Sequence, residues 1–565
     1  MTASSDLRIL RAHPTEWRTI IARREFAVAA TVSSALVALA TLPYLLGYAL
    51  ASPGTEFMGV LMNPEDSNSY LAKMEQGFRG DWLYLIPFTS QPHQPEFLGG
   101  FYMALGQLAR ITGYGVLPLW HLARLVSGLI LFLSVFLFIR FFLEDKRQRW
   151  FAFLLATTGA GLGWLLFLLG QKEWLGAFPV DFKMPESHLL FAVLTFPHYL
   201  VGIALILLSI WLGLRALDTG LFRYGVACGL ANLALAIIYP FLIYLVAAVI
   251  GLNGIALLWD RIRNGAGASR WRTLPWREGA AVTAAFLVPL PLLLYYAWVL
   301  RTNPAFAAWD AQSITLSPNA LHYVISHGPM LLLAAPTLRA RKWRALWLWV
   351  LAAALLIYAP VNPQRRFVEG VQIPLAILAT AGLFSDYLPR LAQTRAFRLL
   401  ASRPNYTVAG LERLLLTVLL LVFAVSNLYV LASTSITAGL EQPYPLFHPA
   451  VEVEAVEWAG SNLPERSVVL AAYETGSLIP TRTPLRTVVG HWAETPDFDR
   501  LNRQVEHFLD PAASSAWRSE FLRDQRVNYV FVGPRERLKG ISFTGWPELQ
   551  PVYDHAGVVI YRVTP

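Results

Sequence analysis

The chain has 565 residues, of which 55% are hydrophobic and only 15% are charged. This composition excludes a soluble protein of this length, because it leaves too little polar surface, and it predicts an α-helical polytopic membrane protein. The formal net charge of +9 does not indicate a nucleic-acid partner, because the Arg and Lys residues collect between apolar segments, where they report topology.

Apolar segments recur along the chain and predict about eleven transmembrane helices. The first, 26–50, has no charged residue, and at ~1.5 Å per residue it exceeds the ~30 Å hydrocarbon thickness of a bilayer. Around Pro240 the pattern fits either two short helices or one kinked helix, since proline interrupts helical hydrogen bonding. The predicted spans are 26–50, 117–139, 150–170, 189–214, 224–240, 241–259, 279–300, 321–338, 345–360, 367–388 and 412–433.

The basic residues predict the orientation. They precede the first span and follow every even-numbered one, which makes those segments cytoplasmic by the positive-inside rule. An odd number of spans then places the C-terminus outside. We predict a cytoplasmic segment 1–25, a transmembrane domain 26–433 with a first outer loop 51–116, and a small extracytoplasmic α/β domain 434–565. The membrane is predicted to be a plasma membrane. Strands are predicted at 468–471, 527–532 and 558–561, and helices at 450–458 and 498–509.

The first outer loop contains two apolar segments that predict short helices, at 66–77 and 97–111. We expect both to lie flat on the membrane and to cover a cavity on its lipid side. Glu65 and Asp66 stand at the start of the first of these helices. Asp66 fits a helix N-cap, a general base, or a ligand of a divalent cation such as Mg or Mn. Glu65 is either an accessory acid or a solvated neighbour.

The second outer loop, 171–188, carries Glu173, Asp181 and Glu186. Glu186 fits a cap or interfacial charge, or a second carboxylate that faces Asp66 across the cavity. His198 is predicted about two turns inside the following span. It is either a packing residue or, if the chain breaks at Pro197, part of a cavity.

Arg365 and Arg366 occupy the tight outer turn before the tenth predicted span, against the charge bias of that side. They fit either snorkelling side chains or a binding site for the phosphate of a lipid donor, because the guanidinium fork matches phosphate geometry. Weaker candidates for a sugar pocket are His93, Glu96, Arg301, Trp309, Asp310 and His322. The glycine-rich stretch 159–163 lies inside a predicted span, where it favours close helix packing over nucleotide binding.

Together these features resemble the GT-C superfamily of integral-membrane glycosyltransferases. The resemblance lies in Glu65-Asp66 after the first span, two flat helices in the first outer loop, Pro185-Glu186 in the second, and the outer arginines 365 and 366. In layout the chain is most similar to protein mannosyltransferases and bacterial lipid A aminoarabinose transferases. The oligosaccharyltransferase catalytic subunit is more distant, because its Trp-Trp-Asp motif is absent from the C-terminal region.

The resemblance implies an inverting transfer of a sugar from a polyprenyl-phosphate donor to an acceptor hydroxyl at the outer membrane face. Asp66 would be the base, Glu186 would assist it or help to hold an ion, and Arg365 and Arg366 would stabilise the departing phosphate. The partners implied are the lipid-linked donor and membrane lipid, with the acceptor undefined and no nucleic acid.

Two other functions fit the same sequence. A transporter or flippase of a lipid-linked or anionic substrate would need charged residues along a midplane path and two matching halves, and few such charges and no evident halves occur. A non-catalytic subunit would bind a partner through the outer domain and would tolerate replacement of its acids.

Overall fold

The computed structural model describes residues 23–264, 274–543 and 545–564. Most of the predicted N-terminal segment 1–25 therefore lies outside the described residues. The chain divides into two compact units. The first unit holds the described residues of Met1–Thr41, Arg124–Leu293 and Thr315–Ser433, and the second unit holds those of Leu42–Ala123, Leu294–Ile314 and Thr434–Pro565.

Long apolar helices confirm a multi-pass helical membrane protein. Within the described ranges, six helices are long and apolar enough to cross a membrane, and a pair bent by 42° at residues 287–290 makes up to seven. The six are Arg23–Ala49, Val116–Arg140, Pro197–Thr219, Leu242–Arg263, Gln364–Ala392 and Val408–Glu441. The other predicted spans coincide with shorter or broken helices, so the count of about eleven stays a prediction.

The α-helices, in chain order, are Arg23–Leu39, Leu42–Ala49, Pro64–Arg79, Gly100–Thr112, Val116–Arg140, Lys146–Thr158, Gly163–Leu168, Val180–Lys183, Leu189–Val193, Pro197–Thr219, Phe222–Ile238, Leu242–Asn264, Trp276–Leu287, Leu290–Thr302, Pro304–Gln312, Ala320–Ala334, Arg344–Leu356, Gln372–Gly382, Leu388–Ala392, Arg395–Ala401, Val408–Ile436, Ala450–Asn462, Tyr473–Leu478, Phe498–Phe508, Ser515–Asp524 and Pro534–Arg537.

Several predicted spans are interrupted, and two of the interruptions change what the sequence predicted for particular residues. The span predicted at 189–214 consists of Leu189–Val193 and Pro197–Thr219, because the proline disfavours helical geometry at Phe196, which is extended with φ −114° and ψ 134°. His198 is therefore the second residue of its helix, and its predicted position two turns inside is wrong.

The span predicted at 150–170 is interrupted between Thr158 and Gly163. The glycine-rich stretch was predicted to lie inside a helix, and this prediction is wrong. The stretch still permits close packing, since a Cβ on Gly161 would lie 2.3 Å from the Cα of Ser326. Its buried, non-helical backbone also has hydrogen-bond partners: for example, Asn427 Nδ2 donates to the carbonyl of Gly159 at 3.0 Å.

The second unit contains both β-structures of the described chain. The strands are β1 Thr55–Phe57, β2 Phe447–Pro449, β3 Val468–Leu470, β4 Arg486–Thr487, β5 Tyr529–Val532, β6 Leu549–His555 and β7 Val558–Val563. β1 pairs with β2, and the others form a five-stranded sheet in the order β4-β3-β5-β7-β6, parallel across β4-β3-β5 and antiparallel across β5-β7-β6.

The strands and helices predicted in the C-terminal part occur where the sequence predicts them, and fully buried Leu470, Val505, Phe508, Val530 and Ile560 lie in the core around the sheet. In the second unit this part joins residues 42–123 and 294–314. A separate extracytoplasmic domain at 434–565 stays a prediction.

The two helices in the predicted first outer loop are Pro64–Arg79, here called the Pro64 helix, and Gly100–Thr112. They pack at very short range, because a Cβ on Gly77 would lie 2.3 Å from the carbonyl of Met103, and one on Gly106 would lie 2.1 Å from that of Met74. Only glycine fits at such a crossing. Their placement flat on a membrane stays a prediction.

Candidate active site

Asp66 is held in the first turn of the Pro64 helix. The helix begins at Pro64 and its N-cap position is Asn63, which has left-handed geometry with φ 45°. The prediction of Asp66 as the N-cap is therefore wrong: a proline at the first helical position starts the helix earlier. Asp66 and Glu65 still lie at the helix N-terminus, where the partial positive charge of the helix dipole favours ionised carboxylates.

The Asp66 carboxylate faces His491. Its Oδ1 lies 3.5 Å from His491 Nε2, and the exposed fractions of the two side chains are 27% and 4%. His491 Nδ1 accepts hydrogen bonds from the backbone N–H groups of Ala493 and Glu494, both at 3.2 Å. A neutral imidazole that accepts at Nδ1 carries its proton on Nε2. His491 therefore presents an N–H to Asp66, which stays partly accessible.

Glu65 lies beside the hydroxyl of Tyr473. Burial, and then the charge and hydrogen-bonding of Glu65, raise the pKa of Tyr473, so this phenol stays protonated. Glu65 is half-buried, and its two predicted roles stay open.

A buried polar cluster fixes the next turns of the Pro64 helix. Glu494 Oε1 accepts from Ser69 Oγ at 2.5 Å and from Lys73 Nζ at 2.7 Å, and its Oε2 accepts from Tyr84 at 2.5 Å. Burial raises the pKa of Glu494, but the charge of Lys73 and the hydrogen bonds from Lys73 and Ser69 act against it, and the net pKa is below the usual value. This cluster sets the position of the segment that carries His491.

The segment after His491 is also anchored through its backbone. Gln312 Nε2 donates to the carbonyls of Ala493 and Thr495, both at 2.9 Å. Thr495 Oγ1 donates to the carbonyl of Phe88 at 2.7 Å. His491 is thus presented by a loop with several independent hydrogen bonds.

In the first unit, Glu186 forms ion pairs with both predicted arginines. Glu186 Oε1 lies 3.1 Å from Arg365 Nε and 3.5 Å from a terminal nitrogen of Arg366. Arg366 also donates to the hydroxyl of Tyr199 and lies 5.3 Å from the centre of its ring. Glu186 is 1% exposed, whereas 23% of the Arg365 side chain is exposed. The buried carboxylate positions the two guanidinium groups and leaves Arg365 partly open.

Glu369 is a second buried carboxylate at this place that the sequence analysis did not single out. It is 0% exposed, and the charge of Arg366 acts on it. The spacing Arg365-Arg366-x-x-Glu369 could have indicated it.

The candidate pocket residues occupy separate places. His198 packs among aromatic rings, 4.5 Å from the ring of Tyr199 and 4.9 Å from that of Tyr239, next to Arg366. His322 lies 2.7 Å through Nε2 from the carbonyl of Trp174. Both histidines belong to the first unit.

His93 and Trp309 belong to the second unit. His93 accepts from the N–H of Ile86 at 3.0 Å and lies 2.9 Å from the carbonyl of Gln91, so both ring nitrogens bond to the backbone. Burial lowers the pKa of His93, which favours the neutral ring. Trp309 is half-buried in the helix Pro304–Gln312.

Asp181 has a structural environment. It is fully buried, and its Oδ2 accepts from the N–H of Gly163 at 2.7 Å and from Ser426 Oγ at 2.9 Å. Burial raises its pKa, but hydrogen bonding and charge from His188, 3.5 Å away, lower the pKa of Asp181 to about 2. Asp181 therefore fastens the second outer loop and is closed to substrate.

The acids and arginines named for catalysis fall in different units: Glu65 and Asp66 in the second, and Glu186, Arg365 and Arg366 in the first. A pocket shared by Asp66 and the arginines stays a prediction. Across residues 23–264, 274–543 and 545–564, no group of three or more His, Cys, Asp or Glu residues is placed to hold a metal ion. A metal held by Asp66 and Glu186 stays a hypothesis.

No protein-family model and no curated protein gives a significant match to this sequence. Solved structures do. The oligosaccharyltransferase of Archaeoglobus fulgidus in its apo form matches with a TM-score of 0.50 and 14% identity, over 92% of this chain and 70% of that one. ArnT of Cupriavidus metallidurans bound to undecaprenyl phosphate also matches with a TM-score of 0.50 and 14% identity, over 93% of this chain and 97% of that one.

The two TM-scores are equal, so the expected greater distance of the oligosaccharyltransferase is not visible at the level of the fold. Both neighbours are glycosyltransferases of the GT-C type. The resemblance predicted from the sequence is thus confirmed for the fold: the chain has the fold of the GT-C glycosyltransferases.

Proposed function

We propose that this protein is an inverting glycosyltransferase, which moves a sugar from a polyprenyl-phosphate donor to an acceptor hydroxyl at the outer face of the plasma membrane. The N-terminus is cytoplasmic and residues 434–565 are extracytoplasmic in this proposal. A neighbour with the same fold binds undecaprenyl phosphate, which supports a donor of this chemical class.

The observation that carries the proposal is Asp66, a partly exposed carboxylate whose Oδ1 lies 3.5 Å from the buried Nε2 of His491. In the reaction, the acceptor oxygen bonds to the anomeric carbon while Asp66 takes the hydroxyl proton. The bond between that carbon and the donor phosphate breaks, and its electron pair leaves with the phosphate. The acceptor oxygen attacks from the face opposite the leaving phosphate, which inverts the configuration of the anomeric carbon.

Arg365 and Arg366 stabilise the phosphate as it gains charge, because fixed cations in a site shielded from water act strongly on developing negative charge. Glu186 positions the two guanidinium groups through its ion pairs with them, and it assists Asp66 or helps to hold an ion. A divalent cation (Mg or Mn) with Asp66 and Glu186 as ligands is the alternative role of these acids.

The direct test uses the full chain purified and reconstituted in liposomes with radiolabelled polyprenyl-phosphate pentoses and hexoses and a membrane extract as acceptor source. We expect release of polyprenyl phosphate together with a labelled acceptor. Repetition with EDTA, followed by added Mg or Mn, tests the metal role. Absence of release from every donor, with no measurable binding of any of them, would contradict the proposal.

Arg365→Gln is expected to weaken binding of undecaprenyl phosphate by about tenfold or more, because hydrogen bonds to charged groups contribute ~1.5–3 kcal/mol. The affinity of Arg365→Lys should lie between those of the wild type and Arg365→Gln, since lysine keeps the charge but lacks the planar guanidinium group. Native mass spectrometry or a fluorescence titration of the full chain gives the Kd. Arg339→Gln, at an exposed arginine of the same unit, is the control. Equal Kd values for Arg365→Gln and the control would remove Arg365 from the donor site.

His491→Ala is expected to lower kcat by about 10- to 100-fold with little change in KM, because small displacements of a catalytic group are costly and the His491 side chain, 4% exposed, acts through Asp66 in this proposal. His491→Gln should restore much of the rate, since its amide can place a donor near the Nε2 position. Steady-state kinetics of both variants give the comparison. If the two variants were equally active or equally impaired, His491 would not orient Asp66 through this N–H.

A further inference from the structure

A cavity lies at the C-terminal end of the Pro64 helix, away from Asp66. It has a volume of about 400 Å³ and is lined within the second unit by the end of that helix, the loop that follows it, and the segments before β3 and at β4. Its side chains of interest are Arg79, Asp81, Trp82, Glu465, Arg466 and Arg486. None of these has been given a part in the chemistry at Asp66.

Two guanidinium groups that line this cavity make no ion pair with any described carboxylate. Arg79 pairs with Glu75 at 2.9 Å, but in the described chain neither Arg466 nor Arg486 forms an ion pair, although the carboxylates of Asp81 and Glu465 also line the cavity. Burial, and then the charge of Arg466, lower the pKa of Arg486, so the two cations act on each other. Neighbouring like charges repel each other, and an anionic group bound between the two guanidinium groups would relieve this repulsion.

Arg486 is held in place for such a role. Its Nη2 donates to the carbonyls of Thr89 and Gln91, both at 2.6 Å, while its buried Nε has no hydrogen-bond partner among the described groups. A preorganised guanidinium with an unused N–H is suited to a carboxylate or phosphate oxygen.

The remaining lining fits a saccharide. Trp82 and Leu83 are 56% and 46% exposed at the cavity, and an exposed indole offers an apolar face to a sugar ring. Asp81 and Glu465 are exposed carboxylates of the same lining, able to accept hydrogen bonds from sugar hydroxyls.

We propose that this cavity binds an acidic glycan, with its acid group at Arg466 and Arg486 and a sugar ring on Trp82. The cavity adjoins Arg79, which follows Asp66 by about four turns of the Pro64 helix, or ~20 Å. A glycan bound there could reach Asp66 with a distant hydroxyl. That the bound glycan is the acceptor rests on the proposed function; the binding itself does not.

The test is calorimetric titration of the full chain, in detergent, with a galacturonic acid tetramer and with a neutral galactose tetramer as the matched probe. We expect the acidic tetramer to bind at least about tenfold more tightly, and salt to weaken it. Arg466→Gln should remove this preference, and Trp82→Ala should weaken both probes. Arg503→Gln, at an exposed arginine outside the cavity, should change neither.

Equal affinity for the two tetramers, binding of neither, or an unchanged preference in Arg466→Gln would overturn the proposal. The proposal would also be overturned if Arg466→Gln reduced only the binding of the chain to phosphatidylglycerol vesicles, measured by flotation. That result would assign the arginines to the membrane surface. Asp66→Asn should bind the acidic tetramer normally. If glycan binding depends on Arg466 but the chain has no transferase activity, this binding site is supported and the proposed function is rejected. If the chain has transferase activity but does not bind the acidic tetramer through Arg466, only this site is rejected.

Discussion

Replacement of Asp66 by asparagine is expected to reduce sugar transfer by about 10²–10⁴-fold, the usual contribution of a general base. Asparagine has nearly the same shape and can still contact His491, but it cannot take the acceptor proton. The measurement is turnover of a polyprenyl-phosphate sugar by the reconstituted full chain, with thermal unfolding as a check on folding. Because Asp66 is partly exposed and 3.5 Å from its histidine, the melting temperature should change little.

Glu65→Gln is the matched control, since it removes a carboxylate from the adjacent position of the same helix turn. If Glu65 is a solvated neighbour, this variant should lose less than about tenfold in rate, far below the range expected for a general base. A comparable loss would make it an accessory acid. Normal turnover by Asp66→Asn would remove Asp66 from the mechanism altogether.

Glu494→Gln is expected to lower the free energy of unfolding by about 3–5 kcal/mol, because it leaves the buried ammonium of Lys73 without its counter-charge. Lys73 and Glu494 are 7% and 3% exposed and 2.7 Å apart. Thermal or denaturant unfolding of the full chain gives the change. The double replacement Lys73→Met with Glu494→Gln should be less damaging than the sum of the single replacements, since no unpaired charge remains.

A control for this prediction is Glu506→Gln, which breaks an ion pair with Lys539 in the same unit. These side chains are 42% and 31% exposed, so the expected cost is at most about 1 kcal/mol. If Glu494→Gln cost no more than this control, the buried pair would not be a major source of stability.

The Glu494 pair also predicts a pH dependence. The pKa of Glu494 is lower in the folded chain than its usual value of 4.5. A depressed folded pKa contributes stability that is present above the unfolded value and is lost as the pH falls through the folded value. Stability should therefore decline below about pH 4.5 in the wild type, and the decline should be smaller in Glu494→Gln, which has no proton to gain at this position.

Hydropathy and local pattern predicted much of the fold. The apolar segments, the two helices of the first outer loop and the strands around 468, 529 and 558 occur near their predicted places. The wrong predictions concern helix boundaries that are set by proline. One helix begins at Pro64, before Asp66, and another begins at Pro197, directly before His198. Proline acts through its missing N–H and fixed φ, which hydropathy does not register.

Hydropathy is a local property of each segment. The amino-acid sequence was therefore enough to indicate a multi-pass membrane protein and to identify Asp66, Arg365 and Arg366 as candidate site residues. The partners of polar side chains depend on long-range packing. Lys73 and Glu494 are 421 residues apart, and nothing in either neighbourhood announces the other. The buried pair, the His491 N–H facing Asp66, and the hold of Glu186 on both arginines became visible only once folding had placed distant segments side by side.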